Sequence, residues 1–222
     1  MKPKILLLIP AYNASKYILE LMERVSPYFE DDNILIINDG SIDTTQDEID
    51  KLDCHEITFP ENRGKGVALK KGFEFAVNNG YDAVITIDSD LQHRPEHLPA
   101  FLEAYNNADI LIGTRDIHPR LMPFDRLLTN NLTSIIISIF GSTRIRDSQS
   151  GYRLIKTPVL KKLCLTSSRY DTESEMLFQS GYLGFTAGEV AIDTVYEGSH
   201  SFINPFKDTT RFIRQIWKRI WY

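Results

Sequence analysis

Ala83-Val84-Ile85-Thr86-Ile87-Asp88-Ser89-Asp90-Leu91-Gln92 decides how this chain is read. Its first five residues form a nearly unbroken apolar run, the pattern of a strand buried on both faces, and it empties onto two carboxylates at i and i+2. The same pattern recurs outward from it. Residues 5–9, 34–37 and 56–59 read as three earlier strands, and 109–112 as a fifth. Between them, 15–25, 44–52, 67–77 and 95–105 carry helical patterns, for example Ile18, Leu21, Met22 and Val25 on one stripe. Buried strands alternating with helices predict an α/β fold with a mostly parallel sheet flanked by helices. In such sheets ligands bind beyond the carboxyl ends of the strands. Four of those ends carry polar signatures: Pro10-Ala11-Tyr12-Asn13, Asn38-Asp39-Gly40-Ser41, Asp88-Ser89-Asp90 and Gly113-Thr114-Arg115.

The second half reads differently, with helices over 127–140, 171–179 and 206–221 and a strand over 189–196. No repeat or linker divides it, so the expectation is one domain over 1–205 and a C-terminal amphipathic helical extension over 206–222. The chain has 222 residues, 42% of them hydrophobic, enough for a sizeable core, which excludes intrinsic disorder. Twenty-five Lys and Arg against 30 Asp and Glu leave a net charge of −5, the wrong sign for a general nucleic-acid binder. Cys54 and Cys164 cannot make a disulfide framework, which suggests a reducing compartment. The apolar run at 5–9 stops at Pro10 without a cleavage site, and no stretch supplies the roughly 20 apolar residues of a membrane span. The expected place is cytoplasmic, soluble or peripheral at a membrane surface.

Several constellations suit chemistry. Asp88 and Asp90 repel one another unless a cation lies between them. Hard oxygen donors, with Gln92 as a neutral third, suit Mg²⁺ or Mn²⁺, which keep positions open for phosphate. The plainer account is an acidic helix start before Pro95. Asp39 is placed to accept hydrogen bonds from a base or ribose, or else its segment is a loop whose Ser41 or Asp43 caps the next helix. Asn62-Arg63-Gly64-Lys65-Gly66 offers close backbone approach and a cation for phosphate, without Walker A spacing. Arg115, Arg126 and Arg153 are candidates for anionic oxygens, against a solvated face. Asp171 and Glu173 are a second carboxylate pair, against a cap, and His200 stands alone in a loop.

The succession PAYN (10–13), NDGS (38–41), NRGKGVALKKG (62–72), DSDLQH (88–93), GTR (113–115), DSQSGYR (147–153), YDTESEML (170–177), TVYEGS (194–199) and NPFKDT (204–209) resembles family 2 glycosyltransferases. The resemblance is to the dolichyl-phosphate mannosyltransferase-like branch, which includes bacterial polyprenyl-phosphate glycosyltransferases. It implies a GT-A fold, a nucleotide-sugar donor, a divalent metal and a polyprenyl-phosphate lipid acceptor. Carried onto this chain, it implies that Pro10, Tyr12 and Asp39 hold the nucleotide; with Lys65 of the Gly-rich loop and Ser89 they make up the expected nucleotide-sugar site. Asp88 and Asp90 would sit at diphosphate and metal, with Gln92 as a further ligand, and Arg115 beside sugar or phosphate. Asp88, Asp90 and Arg115 would be catalytic, with Arg126, Arg153 and His200 at the acceptor phosphate. The chain departs from the family pattern at Ala14, where Glu is usual, and at Asn38, where Asp is usual.

The expected reaction is in-line attack by a lipid phosphate on the anomeric carbon, with inversion. The acceptor is already anionic and needs no strong base. Lys207, Arg211, Arg214 and Lys218 fall on one face of the closing helix, with Ile213, Ile216, Trp217, Ile220 and Trp221 largely on another, the pattern of a helix lying on anionic lipid. The rival reading is transfer to a glycan or protein hydroxyl with Asp171 or Glu173 as base. Residues 215–219 miss the QxxRW spacing of glycan-extending relatives. A non-catalytic nucleotide-sugar-binding protein is the reading outside enzymes.

Overall fold

The computed structural model describes residues 2–115, 147–167 and 172–193. The expected helices over 127–140 and 206–221, the extension 206–222, and Arg126, Asp171 and His200 lie outside the described residues. Seven strands form one sheet: β1 (Ile5–Ala11), β2 (Ile34–Asn38), β3 (His55–Thr58), β4 (Ala83–Thr86), β5 (Ile110–Arg115), β6 (Arg153–Lys156) and β7 (Ala187–Ile192). Their order is β3-β2-β1-β4-β6-β5-β7. Every pairing is parallel except those of β6, which runs antiparallel to both β4 and β5.

Successive residues of β1 point to opposite faces and meet two different cores. Ile5, Leu7 and Ile9 join Ile34, Ile36, Ile85 and Leu111 under α1 (Ile18–Val25) and α4 (Leu98–Glu103). Leu6 and Leu8 join Leu35, Val84, Ile110 and Ile155 under α3 (Lys65–Asn78), α5 (Thr157–Leu160) and α6 (Thr172–Tyr182). Burial on both faces is why the strands read as continuous apolar runs. The remaining helix, α2 (Thr45–Ile49), is short and buries only Thr45 and Ile49.

Two expectations are corrected. The helix expected over 95–105 is α4 with a 3₁₀ turn on either side, Pro95–His97 and Ala104–Asn106. Pro95 and Pro99 each lack an amide donor, so one continuous ladder cannot form there. The sequence reading places no strand at β6, because only Leu154 and Ile155 are aliphatic in a four-residue segment. Its place between β4 and β5 comes from the hole those parallel strands leave.

β1 is flanked by β2 on one side and β4 on the other, so the chain reverses its direction of travel across the sheet here. A crevice opens at the carboxyl ends of strands at such a point.

Candidate active site

The loops after β1, β2 and β3 are tied together before any ligand is considered. Asn13, with a φ of 52°, receives its fix from β2's loop: its amide donates to Ser41 Oγ (2.9 Å), and its Oδ1 accepts from the Ile42 amide (2.9 Å). The Ala14 amide donates to Thr45 Oγ1 at 2.7 Å. Ala14 is itself buried, so a longer acidic side chain would not fit there unchanged. Asn38 Oδ1 accepts from the Ser41 amide, and Asn38 Nδ2 donates to Gln46 Oε1. Gly40 must be glycine: its φ is +64°, and a Cβ would lie 2.2 Å from the carbonyl carbon of Glu61.

That close approach lets the Asp39 carboxylate grip the Asn62–Gly64 loop. It accepts from the Arg63 amide (2.8 Å), the Gly64 amide (2.9 Å) and Asn62 Nδ2 (3.2 Å). Burial pushes the Asp39 carboxyl above its ordinary range, and the two amides pull the other way. Of the residues expected at the nucleotide, Tyr12 is 43% exposed at the mouth. Pro10 is buried within β1, so it shapes the strand end and offers no side-chain surface. Ser89 is half-buried beside the two aspartates.

The centre of the crevice is an ion cluster. Lys65, the first residue of α3, places Nζ 2.6 Å from Asp88 Oδ1 and 2.8 Å from Glu173 Oε1 of α6. Burial works against the Lys65 charge, but the two carboxylates outweigh it and hold its pKa above the ordinary value. Burial would raise Asp88, yet the Lys65 ammonium, by its charge and its hydrogen bond, outweighs that and holds it below its usual range. Lys65 was expected to meet phosphate as a cation; the structure instead engages it between two carboxylates, because three strand and helix ends converge on it.

Asp90 is the opposite case. It is exposed at the rim, and Oδ1 accepts the Gln92 amide at 3.1 Å. Although the residue as a whole is exposed, the protein crowding its carboxyl, together with the neighbouring Asp88 charge, pushes its pKa up to about 6. Leu91, with a φ of 60°, turns the chain so that Gln92 folds back toward Asp90. Two carboxylates at i and i+2 and an amide oxygen beside them are hard donors, so the residues fit Mg²⁺ or Mn²⁺. Among the described residues no group of three or more His, Cys, Asp or Glu side chains is arranged to hold a metal ion.

The third wall comes from β5 and β6. Arg115, at the end of β5, makes a bidentate pair with buried Asp147, at 2.5 and 2.9 Å. Gly151 lies against the ion cluster: a Cβ there would stand 2.6 Å from Asp88 Oδ2 and 2.8 Å from Lys65 Nζ. Its carbonyl accepts from Thr86 Oγ1 at 2.7 Å. His93 is buried, 3.8 Å from Asp88 through Nδ1, with its ring 5.6 Å from that of Tyr152. Burial pushes its pKa down to about 4, so the imidazole is neutral.

Arg153, expected at an acceptor phosphate, is corrected. It is 1% exposed, and its guanidinium donates to the carbonyls of Ser150 (2.7 Å), Glu173 (2.6 Å) and Ser148 (2.7 Å). Burial lowers its pKa to about 10, which still leaves it charged at neutral pH. Its work is to pin the 148–153 loop to α6. Glu173, the candidate base, is 4% exposed and tied to Lys65, which leaves it poorly placed to take a proton from an incoming hydroxyl. The structure thus gathers Asp39, Lys65, Asp88, Ser89, Asp90, Gln92 and Arg115 along one edge. Sequence reasoning missed Asp147, Gly151 and His93. Asp147 pairs with an arginine 32 positions away, a separation that leaves no local signal.

This fold and this acidic strand end define a class, and the comparisons identify it. The chain belongs to the glycosyl transferase family 2, whose model matches residues 7–164. It is 31% identical over 216 residues to a UDP-N-acetylglucosamine–dolichyl-phosphate N-acetylglucosaminyltransferase of Methanococcus voltae, covering 86% of each chain. It is 28% identical to an undecaprenyl-phosphate mannosyltransferase of Micrococcus luteus, covering 86% of this chain and 84% of that one. Glucosyl-3-phosphoglycerate synthase from Mycobacterium tuberculosis, in complex with Mn²⁺, UDP and glucosyl-3-phosphoglycerate, shares the fold with a TM-score of 0.75 at 17% identity, over 98% of this chain and 80% of that one. The protein is a family 2 glycosyltransferase with a GT-A fold. Among the described residues, no helix is long and apolar enough to cross a membrane.

Proposed function

We propose that this enzyme moves a hexose from a nucleotide sugar, of the GDP-mannose or UDP-glucose type, to a polyprenyl or dolichyl phosphate, with inversion and with a divalent metal. The observation that carries the reading is the placement of Asp88 and Asp90 just past the carboxyl end of β4, at the topological switch of the sheet, with Asp90 making no ion pair among the described residues. The two relatives named above, both acting with polyprenyl-type phosphates, support the acceptor class.

In the reaction an oxygen of the acceptor phosphate forms a bond to the anomeric carbon as the bond from that carbon to the diphosphate oxygen breaks. The electron pair leaves with the nucleoside diphosphate, and no proton needs to move. Asp90, with Gln92 and the flank of Asp88, would hold Mg²⁺ or Mn²⁺, which supplies positive charge for the departing diphosphate. Arg115, fixed in orientation by Asp147, would be the cation facing the same leaving group. Tyr12 offers its ring to the base. The acceptor phosphate falls to the half of the chain carrying Arg126 and His200, and the lipid tail brings the enzyme to a membrane surface.

Asp90→Ala tests this. Transfer from nucleotide sugar to polyprenyl phosphate should fall by at least about a hundredfold, while the melting temperature stays within about 2 °C because a strained charge is removed. A variant that keeps its activity rejects the reading.

A further inference from the structure

Asp88 and Asp90 lie two residues apart, yet their surroundings differ. Oδ1 of Asp88 is 2.6 Å from Lys65 Nζ, and Oδ2 lies under Gly151 with His93 Nδ1 at 3.8 Å. Lys65 has only 16% of its side chain exposed, and its second carboxylate, Glu173, comes from a different helix. Glu173 Oε2 is buried without a hydrogen-bond partner among the described residues, so the whole charge of that carboxylate is answered from one side. Two carboxylates therefore clasp one ammonium, and Asp90, two residues from Asp88, makes no direct ion pair among the described residues.

We infer that Lys65 is a positioning residue: bridging Asp88 and Glu173 beneath Gly151, its ammonium leaves Asp90 as the carboxylate that takes up the divalent cation and sets how tightly that cation is held. The inference rests on the proposed metal dependence and adds a role for Lys65 and Glu173 within it. The physical consequence is one of degree. With three free carboxylates the crevice would hold a divalent ion strongly by itself. With Lys65 in place the three carboxylates and the ammonium carry a net −2 instead of −3, so the protein alone holds the ion less tightly and more of its hold falls to the diphosphate. That suits a cycle in which a nucleoside diphosphate has to be released.

The sign of the effect separates this from a scaffolding role. Lys65→Met removes the positive charge that clasps Asp88, and Glu173→Gln removes a negative charge from the same cluster. Binding of Mn²⁺ alone, followed by loss of the free-ion paramagnetic resonance signal, should therefore tighten about tenfold in Lys65→Met and weaken about threefold in Glu173→Gln. Lys65→Arg should return Mn²⁺ affinity to within about twofold of the unmodified protein, since the charge is kept. A residue that only braced the fold would weaken Mn²⁺ binding in both variants, in step with a lowered melting temperature.

Lys65→Met leaves buried Glu173 and half-buried Asp88 without their shared counter-charge; if that variant does not fold, the near-isosteric Glu173→Gln carries the test alone, and unchanged or tighter binding in it overturns the inference. If the unmodified protein binds Mn²⁺ but the variants move together or not at all, the inference falls and the proposed function stands. If the unmodified protein leaves the Mn²⁺ signal untouched even with nucleoside diphosphate present, both fall.

Discussion

At the residue scale, the site is governed by side chains and hydrogen atoms that leave no room for alternatives. Gly151→Ala puts a methyl group 2.6 Å from Asp88 Oδ2, in a place walled by Lys65 and Asp88. Overpacking of this kind costs about 1–3 kcal/mol. Because the displaced atoms belong to the ion cluster, transfer activity should fall about tenfold or more, beyond what the lowered melting temperature explains; retention of full activity would show that the cluster is not part of the site. Arg153→Lys is the second case. One ammonium cannot reach the Ser148, Ser150 and Glu173 carbonyls in the fork geometry of a guanidinium. The expected loss is about 3 kcal/mol, read as a lower urea midpoint with an unchanged slope. DSQSGYR shows an arginine and a glycine as letters; nothing in those letters says that the arginine faces inward and the glycine covers an ion pair.

At the element scale, local pattern and tertiary demand part company where the segments are short. The long strands β1, β2 and β5 and the helix α3 follow from apolar runs and helical spacing. β6 does not, because an antiparallel strand wedged between two parallel neighbours is specified by the gap and by Thr86 Oγ1 holding Gly151. The edge strand β7 is held in register at its start by Asp109, whose Oδ2 accepts from the Thr186 amide (2.9 Å) and from Thr186 Oγ1 (2.7 Å). Burial alone would raise Asp109, but these hydrogen bonds outweigh it and its pKa lies below the ordinary value of 3.8. A carboxyl lowered on folding stabilises the native state above its unfolded pKa, and that stability is lost as pH falls through the folded value. Wild type should therefore be more stable than Asp109→Asn at neutral pH, with the gap closing below about pH 4. Chemical denaturation across pH 2.5–7 reads this directly, and a gap that widens in acid contradicts it.

At the scale of the whole molecule, a crevice assembled from four strand ends should respond to its donor as one unit. A nucleotide sugar with Mn²⁺ at a hundred times its dissociation constant stabilises the folded state by about 2.7 kcal/mol. For a chain of this size that is a rise of about 5–10 °C in melting temperature, and EDTA should abolish both the rise and the transfer reaction. A donor that shifts the melting point equally with and without EDTA would show metal-independent binding. By itself the sequence determined that the strands are buried on both faces, that their carboxyl ends carry polar chemistry, and that Asp88 and Asp90 close the fourth strand. Those properties are periodic or contiguous, so they survive in one dimension. Only the tertiary structure decided that Lys65 serves Asp88 and Glu173, that Asp147 orients Arg115, and that Arg153 is structural. Such pairings join residues 20 to more than 100 positions apart, and the low dielectric of a closed interior, which no local pattern encodes, makes them strong.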